Sequence, residues 1–238
     1  EPTETYQKVF EFFDKYPLDA LGVGSFGPID INKSSKTYGY VLSTPKKGWS
    51  NFPFLNELKK RYEIPMAFTT DVNAAAFGEL HLGAAKGKNS CIYLTVGTGV
   101  GAGVVINGHV YEGINHPEMG HIPVKRNEND SYEGTCPYHK DCLEGLAAGP
   151  SLEARTGTKG QYLLEEDPIW LMEADYIAQA LMTYTLTLAP EIIILGGGVM
   201  NQKHLLKKIQ QAFKVEMAGY VQTPPLNEYI VPWGLPNQ

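Results

Sequence analysis

One stretch constrains the fold more than any other: Thr95-Val96-Gly97-Thr98-Gly99-Val100-Gly101-Ala102-Gly103. The apolar residues 91–94 lead into it and the apolar residues 104–106 lead out. That pattern predicts strand, glycine-rich turn, strand, a hairpin whose tip carries almost no side chains. Glycine lets another molecule approach the main chain closely. A run of bare N–H groups with one hydroxyl, Thr98, suits phosphate oxygens. A tight hairpin that binds nothing fits the same residues, and only the rest of the chain separates the two.

The chain has 238 residues, enough for one large domain or two modest ones. The formal charge is −6 with no run of Lys and Arg, which argues against nucleic acid and anionic membrane as partners. No apolar stretch approaches the roughly 20 residues that span a bilayer. The start, Glu1-Pro2-Thr3-Glu4, lacks the features of a signal peptide. Three cysteines, two of them clustered, do not suit a disulfide framework. The expected setting is a reducing cytoplasm.

Taken in order, helical spacing of Tyr6, Val9, Phe10 and Phe13 predicts a helix over 4–16. The apolar residues 18–23 predict a strand that runs into Gly24-Ser25-Phe26-Gly27-Pro28-Ile29-Asp30. That loop is either a structural turn or a ligand loop at a strand end. Residues 31–53 are polar and turn-rich, with Trp49 and Phe52 as anchors. A helix over 54–62 and a strand over 65–69 follow. The strand delivers Thr70-Asp71-Val72-Asn73 to a helix over 74–80. Asp71 is either the N-cap or a carboxylate free to act as a general base. Further on, short strands are expected at 110–111 and 122–124, helices at 150–155, 168–189 and 203–217, and strands at 191–195 and 229–231. The strand at 191–195 runs into a second glycine turn, Gly196, Gly197 and Gly198, a second candidate for close approach to a nucleotide.

Between the two glycine turns lies Cys136-Pro137-Tyr138-His139-Lys140-Asp141-Cys142, with His121 just upstream. Two thiolates and two imidazoles, from His121, Cys136, His139 and Cys142, make a closed tetrahedral set for Zn2+. With no open position, the metal would be structural and would pin a long loop. The whole inventory is that of a kinase, yet the chain has no G-x-x-x-x-G-K-[ST] and no protein-kinase motif set.

Six segments, in order, carry a resemblance: G-S-F-G-P-I-D at 24–30, D-V-N-A-A-A-F-G-E at 71–79, L-T-V-G-T-G-V-G-A-G at 94–103, H-P-E-M-G-H at 116–121, C-P-Y-H-K-D-C-L-E at 136–144 and L-G-G-G-V at 195–199. Together they resemble the ROK group of bacterial sugar kinases and repressors, most of all its zinc-binding fructokinases. The resemblance implies an actin-like (RNase H-like) α/β fold with two domains, at 1–82 and 83–238, closing over substrates. It implies ATP and Mg2+ as cofactors, a hexose, fructose first, as substrate, and a homodimer. Asp71 would take the proton from the sugar's 6-hydroxyl. Gly97, Thr98 and Gly99 would form a phosphate loop, and Gly196, Gly197 and Gly198 would lie against the nucleotide. Glu118, His121 and Glu144 would bind sugar hydroxyls, with Ser25, Gly27 and Pro28 on the smaller domain.

Three points depart from the family pattern. Thr70 stands where Asn often precedes the catalytic Asp. The C-x-x-H-x-x-C spacing is that of the fructokinase branch, and it favours fructose over glucose or mannose. The first phosphate loop, D-x-G-x-T, does not occur, nor does the family's last helix, so the chain is expected to be incomplete at both termini. Two other functions share the resemblance: a sugar-responsive transcriptional regulator and a catalytically dead binding domain. Asp71 favours the kinase.

Overall fold

The structure is a computed structural model that describes residues 1–235. It falls into two compact units, one made of Glu1–Ala74 with Glu112–His116, the other of Ala75–Tyr111 with Pro117–Gln238. By contacts the division falls between Ala74 and Ala75, and five residues, 112–116, return to the first unit.

In the first unit, helix α1 (Pro2–Phe13) opens with proline in its first turn, where a missing N–H costs nothing. Strand β1 (Leu21–Ser25), helix α2 (Phe54–Arg61) and strand β2 (Met66–Thr70) follow, and then α3 (Asp71–Leu82), which begins here and crosses the division. β1 and β2 pair in parallel with Ser25 opposite Thr70, so the ends of both strands arrive side by side. The turn-rich residues 31–53 are held by aromatic packing: the buried Trp49 ring lies 5.4 Å from those of Phe26 and Phe54 and 5.5 Å from Phe52. Such pairs typically contribute roughly 0.5–1.5 kcal/mol each beyond the area they bury.

The second unit is built on a five-stranded sheet in the order β5-β4-β3-β6-β7. Strands β3 (Cys91–Val96) and β4 (Val100–Ile106) form the antiparallel hairpin, and β5 (His109–Val110) extends it. β6 (Ile193–Gly196) runs parallel to β3, and β7 (Ile230–Pro232) parallel to β6. Nearly every side chain of β3 and β6 is buried, as expected of strands covered on both faces. The covering helices are α4 (Leu143–Ala147), α5 (Gly149–Thr156), α6 (Ile169–Leu188), α7 (Lys203–Met217) and the single turn α8 (Leu226–Tyr229). α7 buries Leu205, Ile209, Phe213 and Met217, one residue per turn on one face, against the core that contains α6. The strand expected at 122–124 does not form; Pro123 makes a single bridge to Cys142, and the Ile122 carbonyl accepts the Leu143 N–H.

α6 contains one polar surprise. Glu173 is buried with neither carboxylate oxygen hydrogen-bonded. Burial pushes its pKa well above the ordinary 4.5, with only the nearby Arg155 opposing. Folded Glu173 therefore keeps a proton that the unfolded chain gives up, and stability is lost as pH rises above about 4.5 toward the folded value. Glu173→Gln is expected to unfold at higher denaturant than the parent at pH 8 and at nearly the same denaturant at pH 4.5. Equal midpoints for the two proteins at pH 8 would contradict it.

Candidate active site

The first unit presents Asp71 at the junction of β2 and α3. The capping role that competed for Asp71 belongs to Thr70: its buried Oγ1 accepts the Asn73 N–H at 3.1 Å. Asp71 is exposed, and among the described residues its Oδ1 accepts the adjacent Val72 N–H alone, at 2.9 Å. Thr70 in place of Asn thus has a physical account, and Asp71 is left open to a ligand. Beside it, across the β1–β2 pairing, stands buried Ser25 at the head of the loop with exposed Gly27 and Pro28. A Cβ at Gly24 would sit 3.0 Å from the Ala74 Cβ and 3.3 Å from the Asp71 Cα, so any larger residue there would crowd the start of α3. Two residues assigned no role from the sequence, His116 at the head of the segment 116–121 and Asn115 just before it, hold this loop in place. His116 Nε2 accepts the Ile29 N–H at 3.2 Å, and the Asn115 side chain donates to the Ile29 carbonyl at 2.9 Å and accepts from Ile31. They lie about 85 residues along the chain from it, so spacing gave no signal.

In the second unit the two glycine turns are neighbours. Thr95 pairs with Gly196 at the ends of parallel β3 and β6. Gly97, Thr98 and Gly99 form the tip between β3 and β4, closed by a Gly97 N–H to Gly99 carbonyl bond of 2.9 Å. A Cβ on Gly97 would lie 3.6 Å from the Gly198 nitrogen. Gly197 has φ +90° and packs on the backbone of Val96. A cavity of about 430 Å³ opens over both turns, lined by Gly97, Thr98, Gly149, Glu153, Lys159 and Gly198 among others. Its size is in the range of small-molecule sites. A larger cavity of about 610 Å³ lies beside α1 in the first unit, and none of the candidate residues borders it.

The same unit gathers His121, Cys136, His139 and Cys142, whose ligand atoms lie within 4.8 Å of one another. His121 Nδ1 is 3.6 Å from the Cys136 Sγ and 3.5 Å from the Cys142 Sγ, and His139 Nδ1 is 3.8 Å from the Cys136 Sγ. A tetrahedron with roughly 2.3 Å to sulfur and roughly 2.0 Å to nitrogen separates S and N by about 3.5 Å. The donor set therefore fits a zinc ion in chemistry and in spacing. Burial pushes the Cys142 thiol up to about 11, aided by Cys136 and Glu144, so a bound cation would be needed to favour its thiolate. With Nδ1 facing the sulfurs, His121 Nε2 faces the Glu144 Oε1 at 3.9 Å. The other oxygen of Glu144 accepts the Val100 N–H at 3.0 Å, a contact that no motif forecast. Buried Tyr184 of α6 donates to the Met119 carbonyl at 2.7 Å and so holds the 3₁₀ turn Met119–His121, with exposed Glu118 just before it.

Comparison with known proteins adds three findings. A family model described as "ROK family" matches residues 3–232. The fructokinase of Pediococcus pentosaceus is 49% identical over 236 residues, covering 99% of this chain and 82% of its own length. That of Lactococcus lactis subsp. cremoris is 50% identical over 224 residues, 94% of this chain and 76% of its own. Among solved structures, the ROK hexokinase from Thermus thermophilus matches with a TM-score of 0.80 at 28% identity, over 98% of this chain and 79% of its own.

Proposed function

The chain belongs to the ROK family and has its actin-like α/β fold, and on that premise we propose that it is a fructokinase, transferring the γ-phosphoryl group of ATP to the 6-hydroxyl of D-fructose. The observation that carries the substrate is identity of about half to two fructokinases over almost the whole chain.

Phosphoryl transfer asks a protein for positioning and charge stabilisation more than for covalent chemistry. The residues divide that work. Asp71, exposed and free of capping duty, takes the proton of the attacking 6-hydroxyl. Gly97, Thr98 and Gly99 offer backbone donors to phosphate, and Gly196, Gly197 and Gly198 let the nucleotide lie against β6. Glu118, His121 and Glu144 hold sugar hydroxyls, as do the loop residues Ser25, Gly27 and Pro28 near Asp71. The nucleotide brings Mg2+, which neutralises charge on the phosphates. His121, Cys136, His139 and Cys142 hold Zn2+ as a structural ion. The enzyme works as a cytoplasmic homodimer, in keeping with cysteines that stay reduced: two serve the metal, and the third, Cys91, is buried with its thiol pushed up to about 12.

The test is a coupled assay with ATP and a panel of fructose, mannose and glucose. Fructose is expected to show the highest kcat/KM, by at least about tenfold, because a site built to bond particular hydroxyls discriminates strongly when one is misplaced. A preference for glucose or mannose overturns the substrate, and no ATP-dependent phosphorylation of any hexose overturns the enzyme.

A further inference from the structure

We propose that α4 is a strut through which the metal cluster sets the shape of the phosphate turn, with Glu144 as its positioning residue; this rests on reading Gly97, Thr98 and Gly99 as that turn. The five-residue helix is fixed along its whole length. Its N-cap is Cys142, a member of the cluster. The next residue, Leu143, donates its N–H to the carbonyl of Ile122, neighbour of His121, at 3.0 Å. In its first turn, Glu144 Oε2 accepts the Val100 N–H at 3.0 Å. Past its end, Gly149 donates its N–H to the Gly97 carbonyl at 2.7 Å.

The last two contacts bracket Thr98 and Gly99. One fixes the carbonyl at the start of the turn and the other fixes the N–H just past its end, so the turn is restrained on both sides. Packing leaves no slack. A Cβ at Gly99 would lie 2.7 Å from Glu144 Oε2, and one at Gly149 would lie 3.1 Å from the Gly97 carbonyl oxygen. From the other side, a Cβ at Gly120, beside His121, would run into the Val100 carbonyl. Both segments of the cluster therefore abut the same residue of the turn.

Little regular structure holds the Cys136 end. Between residues 122 and 142 the chain has no helix and only isolated bridges. Single hydrogen bonds tie it, from the Thr135 N–H to the Gly145 carbonyl and from the Leu143 N–H to the Ile122 carbonyl, each 3.0 Å. Four ligands on one ion would lock Cys136 and Cys142 against His121. Releasing them removes the restraint at the N-terminal end of α4, where Cys142 is the cap and Glu144 is only two residues further on, while the far end stays tied to Gly97. A charged acceptor on a partly buried N–H is one of the stronger hydrogen bonds available, so its loss is felt in the turn. Coupling between two such sites is reciprocal and typically amounts to roughly 5- to 150-fold in affinity.

The experiment measures nucleotide affinity without sugar and without turnover. Protein purified without chelator is expected to hold about one zinc per chain by elemental analysis. Calorimetry with the Mg2+ complex of a non-hydrolysable ATP analogue is expected to show about tenfold weaker binding after zinc is stripped. Saturating nucleotide should raise zinc affinity by the same factor, read as a shifted midpoint in competition with a chromophoric chelator. Glu144→Ala, with zinc retained, should weaken nucleotide binding similarly, and Glu144→Gln should restore it, since an amide oxygen still accepts from Val100. Equal nucleotide affinity in loaded and stripped protein, parent-like affinity of Glu144→Ala, or purified protein free of zinc each overturns the strut. Absence of nucleotide binding in every form overturns the phosphate-turn reading itself, which separates the two failures.

Discussion

Replacing Asp71 by Asn is expected to lower kcat by roughly 10²- to 10⁴-fold, the usual worth of a positioned general base. The affinity for fructose should change little. The structure says why the loss should be confined to the chemical step. Thr70, not Asp71, caps α3, so the helix start does not depend on the carboxylate. The one hydrogen bond that Asp71 accepts, from Val72, can be accepted equally by an asparagine oxygen. What asparagine cannot do is take the proton of the 6-hydroxyl. Steady-state kinetics with ATP and fructose, paired with calorimetric fructose binding, separates the two effects. A variant that keeps more than about a tenth of the parent's kcat removes Asp71 from the role, given the size expected of a base.

Gly197→Ala is expected to cost about 2–4 kcal/mol of stability and at least about tenfold in nucleotide affinity, the range for strain at a special backbone conformation compounded by a clash. Its φ of +90° is one that side-chain-bearing residues rarely adopt. The added methyl would run into the Val96 carbonyl, with the Thr95 Oγ1 and the Val96 nitrogen each 2.6 Å away. Most of these atoms are backbone of the central strand β3, which cannot yield without moving the sheet. Gly198→Ala is the control. Its φ is −61° and no atom lies within 4 Å of its added Cβ, so it should melt with the parent while still bordering the nucleotide cavity. Thermal melts and nucleotide calorimetry on both variants decide the matter. Parent-like stability of Gly197→Ala would show that the turn relaxes freely.

Much of the fold was legible because apolar periodicity is a local signal. The long helix expected at 168–189 is α6, the one at 203–217 is α7, and the glycine hairpin is β3 and β4. The helix expected from 74 begins at Asp71, since its cap lies one residue earlier at Thr70. The segment 122–124 has the composition of a strand, but its pairing stops at one bridge, Pro123 to Cys142. α4 was hidden because a helix of five residues, Leu143–Ala147, is too short to show a periodicity.

Among the candidate site residues, chemistry and position had different origins. The amino-acid sequence alone determined which groups are present: a carboxylate where a strand meets a helix, two bare glycine turns and four soft metal donors at a spacing that suits zinc. Those are properties of residue type and short-range order, which a linear reading retains. Only the tertiary structure decided how they are used. Parallel pairing of β3 with β6 set the two glycine turns side by side, 100 residues apart in the chain. Thr70 took the capping bond and left Asp71 open, while Asn115 and His116 reached back to hold the loop at Ile29. Glu144, two residues after Cys142, accepted the Val100 N–H just past the first glycine turn. Each of these is a hydrogen bond or strand pairing whose geometry is set by packing, and packing brings together residues that no spacing rule connects.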